Sequence, residues 1–477
     1  MAIAQDDLPT CAHRAPRERR RPIGIDLFAG VGGLSLGFEQ AGFDVVASVE
    51  YDPVHAAVHQ FNFPLTEVVC ANVAKLDAET LLAAAKRGFL AHGRTEAEWT
   101  GEIDVIFGGP PCQGFSTMGK RDIADARNSL VYKFADLIGS IQPRYFVMEN
   151  VPGMAAGGHA GILAKLVARL RKHGYDVAVD LERVRARAIL SAADFGVPQD
   201  RKRLILLGSR LGERAPQYPI PTVRRAPKRA GAEEKRRAHP FDFLPAGPTV
   251  WDAIGDLPDL DSFDRLLETD EVRLSQRQIT ALPPASPYVQ KLRGELPDEE
   301  DLSHPRAWDP AVLTSSMRTV HTNESIRRFK KTNEGETEAI SRFYRLDRGG
   351  LCNTLRAGTG SERGAYTSPR PLHPVLPRVI SVREAARLHS FPDWFRFHRT
   401  KWNGFRSIGN AVPPLFGRAI ARCIVRALDV KPTKPTEIVA LGNERLLSLQ
   451  RLEAAAHFGV GEKNIPKTRR RMADTLA

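Results

Sequence analysis

A buried strand, a glycine loop and the first turns of a helix follow one another in IGIDLFAGVGGLSLGFEQA, residues 23–41. Residues 23–28 are apolar enough for a buried strand, and the glycine-rich residues 29–33 open an amphipathic stretch over residues 34–41. Glycine lets a ligand approach the backbone closely, and an acid about 20 residues further on can accept hydrogen bonds from a ribose. Glu50 ends the next predicted strand at that spacing. We therefore predict a cofactor that contains a nucleoside.

The loop lacks one glycine of the dinucleotide-binding fingerprint. After Gly30 and Gly32, the third position holds Ser35, so the pattern that is typical of pyrophosphate binding is incomplete. This argues against a dehydrogenase. Taken alone, the loop is equally compatible with an ordinary turn at the start of a helix.

Short apolar strands alternate with helical stretches between residues 23 and 210. The helical stretches cover residues 78–89, 129–141 and 161–173. The alternation predicts an α/β fold in which crossover helices connect the strands of a mostly parallel sheet. Such sheets bind ligands beyond the carboxyl ends of their strands.

Two reactive side chains follow predicted strands of this sheet. Cys112 comes just after the apolar residues 103–107 and a Gly-Gly-Pro turn, and Glu149 ends the apolar run 144–148. A single cysteine in such a place is commonly a small buried hydrophobe. Because both side chains belong at the ligand-binding edge, a nucleophilic thiol beside a carboxylic acid is the stronger interpretation.

Six segments resemble, in chain order, the motifs of the DNA cytosine-5 methyltransferases. They are DLFAGVGG (26–33), GPPCQGFS (109–116), ENV (149–151), QDRKR (199–203), REAARL (383–388) and GNAVPP (409–414). The resemblance extends over residues 23–210 and 346–425. It implies a Rossmann-like methyltransferase domain with a mostly parallel sheet, and a second, smaller target-recognition domain.

The resemblance also implies roles in a reaction on a cytosine that is flipped out of duplex DNA. Carbon 5 of cytosine is a poor nucleophile, so the Cys112 thiolate first adds to carbon 6 while Glu149 protonates ring N3. Arg201 and Arg203 would hold the extruded base and a nearby phosphate. Further substrate contacts are implied for Gln113, Ser116, Asn150 and Gln199. The sequence identifies no side chain that removes the carbon 5 proton.

The implied methyl donor is S-adenosyl-L-methionine. The resemblance assigns it to Phe28, Gly30, Gly32, Glu50, Tyr51, Asn410 and Val412, with Pro111 and Leu130 as further wall positions. The family has an Asp after its third strand, whereas this chain has Asn72. The amide carbonyl of Asn can still accept a hydrogen bond, although it lacks the charge.

The chain of 477 residues is too long for one compact core. We predict a basic flexible tail (1–22), a catalytic domain (23–210), a target-recognition domain (211–345), a return to the catalytic domain (346–430) and a C-terminal extension (431–477). Candidate phosphate contacts in the recognition domain are Arg224, Arg225, Lys228, Arg229, Lys235, Arg236, Arg237, Arg318, Arg327, Arg328, Lys330 and Lys331.

The formal net charge of +13 favours a polyanionic partner, although charge alone does not identify double-stranded DNA. The five cysteines show neither close pairing nor metal-ligand spacing, so we expect free thiols and no metal. The Arg-rich residues 14–21 lack the apolar run of a signal peptide, and no stretch is apolar enough to cross a membrane. We expect a cytoplasmic monomer.

The main hypothesis is a modification enzyme of bacterial type, either paired with a restriction endonuclease or acting as an orphan. One alternative keeps the chemistry but takes transfer RNA as the substrate, since one branch of the family does so. Another alternative is a DNA-binding protein with an inactive site. The target sequence cannot be deduced from the chain.

Overall fold

The computed structural model describes residues 20–111, 129–156, 160–178, 187–231, 243–358 and 370–461. Its strands are β1 (Ile23–Leu27), β2 (Asp44–Glu50), β3 (Glu67–Cys70), β4 (Val105–Gly108), β5 (Tyr145–Asn150), β6 (Tyr175–Val177), β7 (Ile189–Ser191), β8 (Gln199–Asp200), β9 (Lys202–Arg210), β10 (Val272–Arg273), β11 (Val312–Leu313) and β12 (Cys352–Asn353).

Eight of these strands form one sheet with the order β3-β2-β1-β4-β5-β9-β6, and β7 also pairs with β9. The five strands from β3 to β5 run parallel, whereas β9 is antiparallel to its neighbours. Because crossover helices cover both faces, strands such as β1 are buried along their whole length. The predicted mostly parallel sheet is confirmed.

The helices are α1 (Gly33–Gln40), α2 (Pro53–Asn62), α3 (Ala78–Ala91), α4 (Ser129–Ile141), α5 (Ala160–Lys172), α6 (Val250–Ile254), α7 (Gln276–Thr280), α8 (Pro287–Arg293), α9 (Asn323–Lys331), α10 (Val382–Leu388), α11 (Lys401–Asn410), α12 (Pro414–Leu428) and α13 (Arg451–His457). The predicted helices at α3, α4 and α5 are confirmed, with ends that shift by at most two residues. Within the described ranges, no helix is both long and apolar enough to span a bilayer.

Apolar side chains pack on both faces of the sheet. On one face, α4 and α5 contribute Phe134 and Leu166. On the other face, α1 and α12 contribute Phe38 and Phe416, and the Phe38 ring stacks on Phe107 of β4 at a centroid distance of 3.7 Å. The helix that follows the GNAVPP segment therefore packs beside the first helix, in line with the predicted return of residues 346–430 to the catalytic domain.

A third apolar cluster joins parts of the chain that are distant in sequence. It contains Val58 of α2, Ile254 of α6, Ala386 of α10 and Leu447 near the C-terminus. Residues 250–254 lie in the predicted recognition domain, and residues 446–454 lie in the predicted C-terminal extension. Both segments pack on the catalytic side, while the domain boundaries themselves remain a prediction.

Buried charges reinforce the contact at α10. The fully buried Arg387 guanidinium donates to the carboxylates of Asp256 and Asp393. Arg293 of α8 donates to Asp256 at 2.6 Å and to Asp393 at 3.2 Å. This network ties α10 to α8 and to the turn after α6, so the charged residues of the REAARL segment have a structural role.

Candidate active site

The carboxyl ends of neighbouring parallel strands bring the predicted residues to one edge of the sheet. Phe28 follows β1, Glu50 ends β2, Pro111 lies just beyond β4, and Glu149 lies near the end of β5. The strand order reverses between β1 and β4, which is where sheets of this type open a ligand-binding crevice. The sheet topology alone therefore brings the residues predicted to bind the cofactor and the residue predicted to act on the substrate to the same end of the sheet.

The loop after β1 turns through left-handed backbone conformations. The φ angle is +64° at Phe28, +57° at Gly30 and +95° at Gly32. A Cβ atom on Gly32 would lie 2.3 Å from the Phe63 ring, so only glycine fits there. A Cβ on Gly30 would meet no described atom within 4 Å. Gly32 thus packs against the protein, whereas Gly30 leaves its backbone open to a ligand.

Glu50 is anchored by the backbone on both sides. Its Oε2 accepts the Gly30 N–H at 2.7 Å, and its Oε1 accepts the Asp52 N–H at 2.8 Å. Burial raises the pKa of this carboxyl, and the neighbouring Asp52 charge adds to the effect. Each oxygen can accept a further bond, so the geometry is compatible with a ribose hydroxyl. Tyr51 beside it is 41% exposed.

Asn72 caps a short 3₁₀ turn after β3. Its Oδ1 accepts the Ala74 N–H at 3.0 Å. Helix caps favour Asn and Asp for this reason, so the cap alone accounts for the residue. The adenine contact remains a prediction.

Residues 409–413 close the other side of the crevice. A Cβ on Gly33 would lie 2.3 Å from the Val412 carbonyl oxygen, so this segment packs directly on the start of α1. The Val412 side chain is buried, and Asn410 is exposed. Pro111 and Leu130 are half-buried on the two flanks of residues 112–128.

An ion pair joins Glu149 of β5 to Arg203 of β9. The Arg203 Nε lies 2.7 Å from Glu149 Oε1, and both side chains are 13% exposed. A Cβ on Gly109 would lie 2.9 Å from the other oxygen, Oε2. Gly109 therefore provides the space that Glu149 occupies beside the loop after β4.

Asn150 ties that loop to β5. Its Nδ2 donates to the Pro110 carbonyl at 3.2 Å, and its Oδ1 accepts the Val151 N–H at 2.9 Å. The predicted nucleophile Cys112 and the predicted substrate contacts Gln113 and Ser116 lie outside the described residues. The hydrogen bond from Asn150 fixes Pro110, which precedes these residues in the chain.

Arg201 and Gln199 are buried, unlike a residue that faces an open crevice. The Arg201 guanidinium is bonded to the carbonyls of Leu355, Gly409 and Ala411 at 2.8–3.1 Å. Gln199 donates to the Leu388 carbonyl and to His389. This placement favours a supporting role for both residues, and their direct contact with substrate remains a prediction.

One group among the described residues has metal-ligand geometry. Ligand atoms of Asp44, His92 and His304 lie within 4.8 Å of one another. Asp44 begins β2, at the sheet edge opposite the crevice, and its carboxylate is already paired with Arg21 at 2.6 Å and Arg94 at 3.4 Å. Because two arginines already balance the Asp44 charge, we do not propose a metal at this group.

Comparison with known proteins assigns the chain to a family. Residues 24–426 match the sequence profile of the C-5 cytosine-specific DNA methylases. The chain belongs to this family. The type II methyltransferase M.XorII of Xanthomonas oryzae pv. oryzae is 47% identical over 450 residues, which cover 94% of this chain and 95% of the relative. This C-5 cytosine methylase is accordingly an enzyme of the DNA cytosine-5 methyltransferase class.

More distant relatives are also named as DNA methyltransferases or type II methyltransferases. The type II methyltransferase M.AgeI of Thalassovita gelatinovora is 31% identical, with 85% of this chain and 99% of the relative covered. A solved structure described as a prophage-encoded DNA modification methyltransferase of E. coli superposes with a TM-score of 0.61 at 32% identity. It covers 86% of this chain and 99% of its own chain.

Two positions of the methylase gain roles that the sequence did not assign. Gly109 was part of a motif, but only the structure shows that it makes room for Glu149. His389 follows the REAARL segment and contacts Gln199, which lies 190 positions away. A single histidine at the end of a helix gives no sequence signal for so distant a partner.

The basic residues predicted to contact DNA phosphates differ in their placement in this methylase. Some are already paired, such as Lys228 with Asp200 at 2.8 Å, Arg318 with Asp261 at 3.1 Å and Arg328 with Glu324 at 2.9 Å. Arg327, Lys330 and Lys331 of α9 are exposed. Lys235, Arg236 and Arg237 lie outside the described residues.

Proposed function

We propose that this methylase transfers the methyl group of S-adenosyl-L-methionine to carbon 5 of a flipped-out cytosine, within one short sequence of double-stranded DNA. The observation that carries the proposal is the Glu149–Arg203 pair at the end of β5, two strands from the glycine loop that follows β1. A carboxyl group that could contact a cytosine and a glycine loop that could bind a nucleoside thus lie in one crevice.

The crevice fits an adenosyl group on two grounds. The backbone at Gly30 borders open space, and the anchored carboxylate of Glu50 lies directly beside it. S-Adenosylmethionine supplies an activated methyl group when it is bound. The residues that would hold it are Phe28, Gly30, Gly32, Glu50, Tyr51, Asn72, Pro111, Leu130, Asn410 and Val412.

The proposed reaction begins at Cys112. Its thiolate adds to carbon 6 of the cytosine, while Glu149 protonates or hydrogen-bonds ring N3 and so stabilises the charge that develops. Carbon 5 then carries enough electron density to attack the methyl group, and the bond between that methyl group and the sulfur of the donor would break to leave S-adenosylhomocysteine. Loss of the carbon 5 proton to a base and expulsion of the Cys112 thiolate restore the ring.

The neighbouring residues support this chemistry in different ways. Arg203 keeps the Glu149 carboxyl aligned, and we assign to it the contact with the cytosine that the family resemblance implies. Asn150 fixes the loop that leads to Cys112, Gln113 and Ser116. Arg201 supports the cofactor side through the carbonyls of Gly409 and Ala411.

Recognition of the target is assigned to residues 211–345, where α9 presents Arg327, Lys330 and Lys331. Phosphate contacts would position the enzyme, and base contacts would choose the sequence. Relatives such as M.XorII and M.AgeI are named type II methyltransferases, so we assign the enzyme either to a restriction-modification system with a partner endonuclease or to an orphan role.

Bisulfite sequencing tests the proposal. The wild-type chain and a Cys112→Ser variant are expressed in a host without cytosine methylation, and host DNA and RNA are sequenced in parallel. We expect protected cytosines in one short DNA context with the wild type, and none with the variant. Protection in RNA alone would support the transfer RNA alternative, and a fully active variant would contradict the role of Cys112.

A further inference from the structure

A chain of buried hydrogen bonds connects Gln199, through His389, to Ala411 in the segment that closes the crevice. Gln199 Nε2 lies 2.9 Å from His389 Nδ1, and His389 Nε2 lies 2.9 Å from the Ala411 carbonyl oxygen. Gln199 and His389 are both completely buried. Buried polar groups that are fully bonded in this way rigidify what they connect.

The partners of Gln199 fix the position of every proton in this chain. The Leu388 carbonyl can only accept, and the Leu355 N–H can only donate, so the amide nitrogen of Gln199 must face Leu388 and His389. His389 Nδ1 is then an acceptor, and Nε2 carries the proton that Ala411 accepts. Burial and the charge of Arg201 lower the pKa of His389 well below 6.5, which keeps the ring neutral.

The Ala411 carbonyl accepts two hydrogen bonds from buried side chains. It accepts from His389 at 2.9 Å and from Arg201 Nη2 at 2.9 Å. The next residue, Val412, packs its carbonyl oxygen against Gly33 at the end of the glycine loop. Residues 409–413 are thus held by hydrogen bonds from His389 and Arg201, and on their other side they contact the glycine loop.

We propose that His389 is a positioning residue for methyl-donor binding. By donating to the Ala411 carbonyl, it holds residues 409–413 in contact with the glycine loop. Gln199, which orients His389, then acts through this ring rather than on DNA. The inference rests on the proposed function, because it assumes that the crevice beside Gly30 and Val412 binds S-adenosylmethionine.

The test measures affinity for S-adenosylhomocysteine by titration calorimetry, without DNA. His389→Leu removes both bonds of the ring, and we expect binding to weaken about tenfold, the usual value of one or two lost hydrogen bonds. His389→Gln keeps one acceptor and one donor, and should bind within about threefold of the wild type. In methylation assays, the KM for S-adenosylmethionine should rise with the Leu variant while kcat at saturation changes little.

His373 provides a matched control. It is a buried histidine whose Nδ1 accepts the N–H groups of Val375 and Leu376, away from residues 409–413. His373→Leu should lower thermal stability and leave the affinity unchanged. Equal weakening by the two Leu variants would reduce His389 to a general stabilising role and overturn the inference.

A shorter amide covers the case in which His389→Leu does not fold. His389→Asn cannot span the distance from Gln199 to Ala411, so it should bind weakly where His389→Gln binds well. Wild-type affinity in a folded Asn or Leu variant would overturn the inference. A wild-type protein that neither binds S-adenosylhomocysteine nor methylates DNA would instead overturn the proposed function.

Discussion

Single contacts at the crevice explain which residues could act directly and which support them. Arg203 reaches Glu149 with both side chains partly accessible, whereas Arg201, only two positions earlier, is buried among backbone carbonyls. Two arginines of one motif thus point in different directions. The QDRKR pattern could not distinguish them, because side-chain direction depends on partners at positions 149, 355 and 411.

The Glu149–Arg203 pair leads to a prediction about rate. Glu149→Gln keeps the shape and removes the acid, so we expect kcat to fall about 100-fold or more, the usual effect of losing a general acid. DNA and cofactor affinity should be nearly unchanged. Single-turnover methylation and gel-shift binding check this. A Gln variant with wild-type kcat would exclude Glu149 as the acid.

Gly109 leads to a prediction about space. Gly109→Ala places a methyl group 2.9 Å from Glu149 Oε2 and must displace the carboxyl. We expect kcat to fall about tenfold or more, because small displacements of a catalytic group are costly. Gly161→Ala is the control, since a Cβ there meets no described atom within 4 Å. Equal activity of both variants would show that Glu149 tolerates the shift.

At the scale of elements, the strand, loop and helix that open the catalytic domain contain a buried polar cluster. Ser35, which replaces the third glycine of the dinucleotide fingerprint, donates to Asp26 Oδ2 at 2.6 Å, and its hydroxyl lies 3.1 Å from His59 Nε2. All three side chains are buried. The absence of that glycine therefore has a structural cause in this chain.

Asp26 makes stability depend on pH. Burial raises its pKa from 3.8 to about 8, so the folded chain keeps a neutral carboxyl that the unfolded chain would ionise. This contribution to stability is complete below the unfolded pKa and is lost as the pH rises through about 8. Asp26→Asn, which is neutral at every pH, should therefore gain stability over the wild type as the pH rises.

Denaturant unfolding at about pH 5 and about pH 9 checks this prediction, and we expect the gain to grow by up to about 4 kcal/mol between them. Asp264→Asn serves as the control because the Asp264 side chain is 97% exposed. A gain of Asp26→Asn that is the same at both pH values would show that Asp26 is ionised in the folded protein.

The sequence predicted the catalytic elements well for a physical reason. Strands β1, β2, β4 and β5 are short apolar runs, and α4 and α5 have one apolar face, so local pattern and tertiary role agree. In its described part, the 211–345 segment has only short strands and helices, whose positions depend on distant partners. The link from Gln199 through His389 to Ala411 is of the same kind.

At the scale of the whole molecule, the positive charge has a definite place to act. The net charge of +13 already counts the acidic side chains. Lys228 and Arg318 pair with acids, whereas α9 keeps Arg327, Lys330 and Lys331 exposed. These residues lie in the predicted recognition segment, far along the chain from the cofactor loop. DNA affinity and cofactor affinity should therefore be separable.

A variant of α9 tests this separation. Replacing Arg327 and Lys331 together with Ala should weaken duplex binding about tenfold and reduce its salt dependence by about two phosphate contacts. Binding of S-adenosylhomocysteine should stay the same. Lys165→Ala, on the exposed face of α5, is the control. Unchanged DNA affinity across a salt series would remove α9 from the DNA interface.

Mass spectrometry of nucleosides tests the central claim most directly. Purified protein, unmethylated plasmid DNA and S-adenosylmethionine are incubated, the DNA is digested, and the products are compared with methylated nucleoside standards. We predict 5-methyldeoxycytidine with the wild type and none with Cys112→Ser. Methylation at a ring or exocyclic nitrogen, or 5-methyldeoxycytidine made equally by the variant, would contradict the account of this site.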